Sequence, residues 1–114
     1  MSPQTFSAQV RSENQHIVID LHGEINGQAD EALNQAYAEA DGSNPEVIVL
    51  NFSDVDYINS TGIALIVGLL AQTRKTHRRL VVYGLSDHYV QIFQITRLSD
   101  FMDIFQDEGS ALAA

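Results

Sequence analysis

An α/β sandwich, with most of its sheet parallel or mixed, is the fold class this sequence predicts. Three observations lead there. Residues 47–52 form an apolar run, rich in β-branched side chains and broken only by Asn51, as expected of a strand buried on both faces. Residues 63–71 are an apolar stretch of helical length, separated from that run by the short polar loop at 57–62. The remaining segments alternate between strand-like and helix-like periodicity, the order expected of layered α/β proteins.

In order, residues 5–10 alternate weakly, with Phe6, Ala8 and Val10 on one side, and read as a first strand at a sheet edge. Residues 12–15 are a polar turn, and 16–21 a second strand joined to the first as a hairpin. Residues 21–27 carry two glycines and an Asn-Gly pair, the marks of a tight loop. Residues 28–40 place Ala29, Leu33, Ala36, Tyr37 and Ala40 at helical spacing against a polar face. The breakers at 41–45 end that helix, and the central strand follows. Beyond the central helix come a strand at 80–83 closed by Gly84, and a short helix through Gln94 capped by Ser86 or Asp87. A short last strand is expected at 101–105, and a frayed helical tail at 110–114.

Composition narrows the function. The chain has 114 residues and no cysteine, so one domain is expected, with no disulfide framework or thiolate metal site. Fifteen acidic residues against six basic ones give a formal charge of −9, which opposes binding to nucleic acid or to anionic lipid surfaces. The N-terminus does not resemble a signal peptide, and the apolar run at 63–71 is too short to span a bilayer. A soluble, cytoplasmic protein that does not insert into membranes is the expectation. The basic residues Arg74, Lys75, Arg78 and Arg79 cluster after the central helix. They complement the negative end of its dipole, or they form a docking patch for an acidic partner.

The loop between central strand and helix concentrates the chemistry. Loops leaving strand ends carry function in α/β folds, and a helix start offers unpaired N–H groups and a positive dipole end. Ser60 or Thr61 supplies a hydroxyl there, and its simplest role is an N-cap. Enzyme readings find little support. His16, His22, His77 and His88 are scattered, the glycines at 23 and 27 lack the Lys-Ser/Thr of a phosphate loop, and Asp54 with Asp56 is too little for a metal. Both aspartates read as solvated loop residues. A phosphoaspartyl receiver would need an acidic pair after its first strand and a late lysine, and the single lysine, Lys75, lies near a helix end.

The run Val55-Asp56-Tyr57-Ile58-Asn59-Ser60-Thr61-Gly62-Ile63 resembles the signature loop of the STAS family, shared by anti-sigma factor antagonists and sulphate transporters. Gly23-Glu24-Ile25-Asn26 is similar to that family's first loop, residues 47–52 to its central strand, and residues 80–84 to the next strand with its glycine. The resemblance covers nearly the whole chain. It implies a four- to five-stranded mixed sheet with helices packed mainly on one side. It also implies a non-enzymatic regulator of transcription that binds a serine-kinase anti-sigma factor, with Ser60 as the phosphorylated residue. Asn26, Asp56, Asn59, Thr61 and Gly62 would make up the partner and phosphate loop. Asn26 and Asn59 occupy positions where the family usually has Asp. The alternative job is that of a soluble subunit in a lipid-transport ATPase complex or a stress-signalling assembly, with no phosphate cycle. No cofactor is implied, although the resemblance permits weak nucleotide binding at Asn26 and the loop 59–62.

At 100° per residue the central helix turns Ile63, Ile66, Val67 and Leu70 toward the sheet, and Leu65 and Leu69 away from it. An apolar docking face of Ile58, Ile63, Leu65 and Leu69 beside Ser60 follows, for a partner protein or for a second copy in a homodimer.

Overall fold

A computed structural model describes residues 5–114; the N-terminus read above as unlike a signal peptide begins outside them. Five strands form one mixed sheet: β1 (Ser7–Glu13), β2 (His16–Ile25), β3 (Val47–Ile58), β4 (Arg79–Tyr83) and β5 (Asp103–Phe105), adjacent in chain order. β1 pairs antiparallel with β2, and every later pair is parallel. The helices are α1 (Asp30–Asp41), α2 (Ser60–Lys75), α3 (Asp87–Ile95) and α4 (Glu108–Leu112), with 3-10 turns at Gly27–Ala29 and Leu98–Asp100.

Strand alternation divides the core in two. Ile17, Ile19 and Leu21 of β2, Ile48, Leu50 and Phe52 of β3, and Leu80 and Val82 of β4 pack under α1, α2 and α3. Phe52 and Phe93 meet edge-to-face there, with ring centroids 6.1 Å apart. The intervening Val18, Val49, Val81 and Tyr83 form a smaller cluster on the other face, covered by Ala111 and Leu112 of α4. Three helices on one face and one short helix on the other satisfy both sides of the parallel strands.

A polar line also crosses that second face. Arg11 of β1 donates to Asp20 of β2 at 2.7 Å, Asn51 of β3 donates to the same carboxylate at 2.7 Å, and Arg11 pairs with Glu108 of α4. The Tyr83 hydroxyl donates to Glu108 at 3.3 Å. Burial, with the nearby Glu108 carboxylate adding to it, pushes the Tyr83 hydroxyl up to about 12. Burial pulls the Asp20 carboxyl upward as well, but the bonds from Arg11 and Asn51 outweigh it and hold that group below its ordinary value.

Several expectations are corrected. The hairpin turn is only Asn14-Gln15, both residues at positive φ, so β1 continues to Glu13 and opposes His16. A two-residue turn of this kind matches the right-handed twist of its strands, and Asn tolerates the left-handed region. No loop opens at Leu21: β2 runs on to Ile25, with Gly23 at φ 90°. β3 likewise continues six residues past Phe52, its pairing with β2 shifting register between Asp20 and His22 and again between Gly23 and Glu24. Each shift sets an extra β3 residue against β2, a bulge that hides the strand's period. Phe101 lies outside β5 and is half exposed, while α4 starts at Glu108, capped by Asp107.

The face of α2 is also corrected. Its buried residues are Gly62, Ile66, Leu69, Leu70 and Thr73, whereas Val67 is 44% exposed. Apolar side chains at 63, 65, 66, 67, 69 and 70 leave little polar contrast to orient the helix. Tertiary packing of the first turn decides the rotation instead.

Candidate functional site

Ile25 and Ile58 are paired neighbours at the ends of the parallel strands β2 and β3, and an asparagine follows each. Asn26 caps the 3-10 turn by accepting from the Gln28 N–H at 2.8 Å, and its amide donates to Glu24 at 3.2 Å. Asn59 caps α2 by accepting from the Gly62 N–H at 2.8 Å, while its own N–H donates to the Ile25 carbonyl at 3.2 Å. The two residues are thus structurally equivalent. Each closes a strand and opens a helical turn, work that Asn does as well as Asp.

The cap expected of Ser60 or Thr61 therefore belongs to Asn59. Ser60 falls one position later, on the first turn of α2, and is exposed. Its hydroxyl has no hydrogen-bond partner among the described residues, and neither do the N–H groups of Ser60 and Thr61. Two unpaired donors and the positive end of a helix of 16 residues thus share the first turn with a free hydroxyl. The first turn contains no acidic residue. Thr61 is exposed, with its methyl beside Gly27.

Gly62 fixes this turn against β2. A Cβ there would lie 2.1 Å from the Ile25 carbonyl oxygen, too close for any side chain. On the far side, the Tyr89 hydroxyl of α3 accepts from the Ile58 N–H at 2.8 Å and donates to the Ile58 carbonyl at 3.4 Å. β4 ends at the level of Asn51, so this hydroxyl replaces a strand partner that β3 has lost.

The expected docking face is largely inaccessible. Ile58 and Leu69 are buried, and Ile63 and Leu65 are partly buried against the core. Tyr57, which sequence reasoning passed over, is an exposed aromatic three positions before Ser60 in the chain, at 52%. No alternation could have marked it, because the bulges break the period of β3 over residues 53–58. Asp54 and Asp56 are exposed as expected, but lie within β3, and Asp54 sits 3.2 Å from the His22 Nδ1. Of the basic cluster, Arg78 pairs with Asp41 and Arg79 with Asp103, whereas Arg74 and Lys75 lie in the last turn of α2.

An exposed seryl hydroxyl on the first turn of a helix that leaves the middle strand of a five-stranded mixed sheet defines a class of small α/β sandwich domains. The chain belongs to the STAS domain family, whose model matches residues 7–111. It is 33% identical over 94 residues to an anti-sigma-B factor antagonist of Listeria monocytogenes, covering 82% of each protein. Its fold is similar to that of an anti-sigma factor antagonist from Mycobacterium paratuberculosis, with a TM-score of 0.82 at 19% identity over 96% of this chain and 92% of that one. It is also similar to the Bacillus cell fate determinant SpoIIAA in its phosphorylated form, with a TM-score of 0.68 at 22% identity over 91% and 96%.

Proposed function

We propose that this chain is a cytoplasmic anti-sigma factor antagonist. It binds a serine-kinase anti-sigma factor while Ser60 is unmodified, and releases it once Ser60 carries a phosphate. Binding would free a sigma factor and change transcription without any contact between this protein and DNA. The observation that carries the reading is the division of labour at the start of α2. Asn59 makes the cap, so the Ser60 hydroxyl has no structural task and remains open to a kinase.

The chemistry fits these residues. Transfer of the terminal phosphoryl group of ATP to Ser60 Oγ, with loss of the hydroxyl proton, adds a charge of about −1.5 to −2 and strong acceptor oxygens. The unpaired N–H groups of Ser60 and Thr61 and the helix dipole can receive them, so the domain keeps its fold. A bound partner meets a different situation. The dianion would lie in a contact that includes the exposed Tyr57 ring and the partly buried Ile63, where desolvating it is costly. A relative of the same fold exists in a phosphorylated form, which supports the reading.

The test is a calorimetric titration of the host's serine-kinase anti-sigma factor with unmodified and Ser60-phosphorylated protein. Phosphorylation should weaken binding roughly a hundredfold, about 2.7 kcal/mol. Equal affinity of the two forms would overturn the switch and leave a constitutive docking module, as in a transport-complex subunit.

A further inference from the structure

The Ser60 loop leaves the opposite end of α2 without a role. Val67, Leu70, Ala71 and Arg74 of that helix, with Leu98 and Phe101 beyond α3, line an open groove of about 270 Å³. Val67 is 44% and Phe101 51% exposed, so two of the four large hydrophobic side chains exposed among the described residues line one feature. The Arg74 guanidinium lies over the Phe101 ring, 4.8 Å from its centroid. An adjoining polar depression shares Arg74 and Phe101 and adds His77, Arg78 and Arg79.

Charge singles out this corner. Five of the six Lys and Arg residues in a chain of formal charge −9 lie between positions 74 and 97. Three are engaged: Arg78 by Asp41, Arg79 by Asp103 and Arg97 by Asp100. Arg74 and Lys75 have no ion-pair partner among the described residues. Arg74 and Lys75 are therefore the two cations of this cluster that no carboxylate pairs, on an otherwise acidic protein. Dipole compensation at the end of α2 accounts for the charges of Arg74 and Lys75, but not for a half-exposed aromatic ring beneath one of them.

We infer that this groove is a second docking surface, which takes an acidic amphipathic segment of a partner protein. The apolar face of the segment would lie on Val67, Leu98 and Phe101, with its carboxylates against Arg74 and Lys75. The acidic remainder of the surface would repel such a segment and so direct it here. Along the helix axis Ser60 lies about 10 Å from Val67, the near edge of the groove, and about 21 Å from Arg74 at its far end. The inference goes beyond the Ser60 switch and does not depend on it.

The test is an NMR titration of the full ¹⁵N-labelled chain with a synthetic amphipathic helix of about four turns, Leu and Phe on one face and Glu along its flanks. Amide shifts should cluster at Val67, Ala71, Arg74 and Phe101. Arg74→Glu should weaken binding about tenfold or more, Phe101→Ala should weaken it too, and Ser60→Ala should leave it unchanged. Both weakening substitutions fall on exposed side chains, and unchanged far-ultraviolet circular dichroism will show that they fold. Absence of binding, or equal binding of a Lys-for-Glu version of the peptide, would overturn the inference. So would shifts at these residues on raising the protein concentration alone, which would assign the groove to a second copy. Binding of phosphatidylglycerol vesicles through the same residues would assign it to a membrane and overturn it as well.

Discussion

Gly62 and Ile25 are in backbone contact across the start of α2, so closely that an added Cβ would sit 2.1 Å from the Ile25 carbonyl oxygen. The obstacle is main chain, fixed within a parallel sheet, and cannot swing aside. Gly62→Ala should therefore cost about 1–3 kcal/mol, or displace the first turn of α2. Urea unfolding measures the cost. A loss below about 0.5 kcal/mol, the range of neutral surface changes, would show that the turn is not held as described.

Tyr89 offers a second probe of the same anchorage. Tyr89→Phe keeps the ring but removes a buried hydroxyl that bonds both backbone groups of Ile58. The expected loss is about 1–3 kcal/mol, because Ile58 is left with unpaired polar groups. Hydrogen exchange at the Ile58 amide should accelerate in step.

How legible was this arrangement in the sequence? Strand and helix types followed from periodicity, because buried runs such as Val47 to Leu50 and the polar-faced α1 announce themselves. The lengths of β2 and β3 did not, since two bulges and a glycine at positive φ interrupt the alternation just where the strands approach the site. The same interruption made Tyr57 look like a loop residue. The hydroxyl at Ser60 was legible as special, but its freedom was not. That depends on Asn59 taking the cap, a competition between adjacent side chains that local propensity does not decide.

The orientation of α2 is checked by a pair of substitutions. Leu69 is 1% exposed and Val67 44%. Leu69→Ala should cost about 2–5 kcal/mol through the lost transfer energy and the cavity. Val67→Ala should change stability by no more than about 0.5 kcal/mol. Reversed magnitudes would restore the face expected from the helical wheel.

The cap itself separates charge from geometry. Asn59→Ala should lower stability by about 1 kcal/mol, whereas Asn59→Asp should preserve it, since a carboxylate accepts the Gly62 N–H equally well and favours the helix dipole. Urea unfolding of the two variants checks both expectations.

The line from Arg11 to Asn51 predicts an acid response. Asp20 is held below its ordinary value of 3.8, so its pairing stabilises the fold at higher pH. That stabilisation is lost as pH falls through its folded-state value. Thermal melts from neutral pH downward should lose stability below 3.8 more steeply in the native protein than in Asp20→Asn. Parallel curves would remove Asp20 from the account.

The central claim is that Ser60 is a free hydroxyl available for a phosphate switch. Intact mass analysis of the protein purified from its own host across growth and stress conditions, with site mapping and Ser60→Ala alongside, tests it most directly. One phosphoryl group on Ser60, absent in Ser60→Ala, is the expected result. A chain that never carries phosphate, or carries it only on another residue such as Thr61, would contradict it.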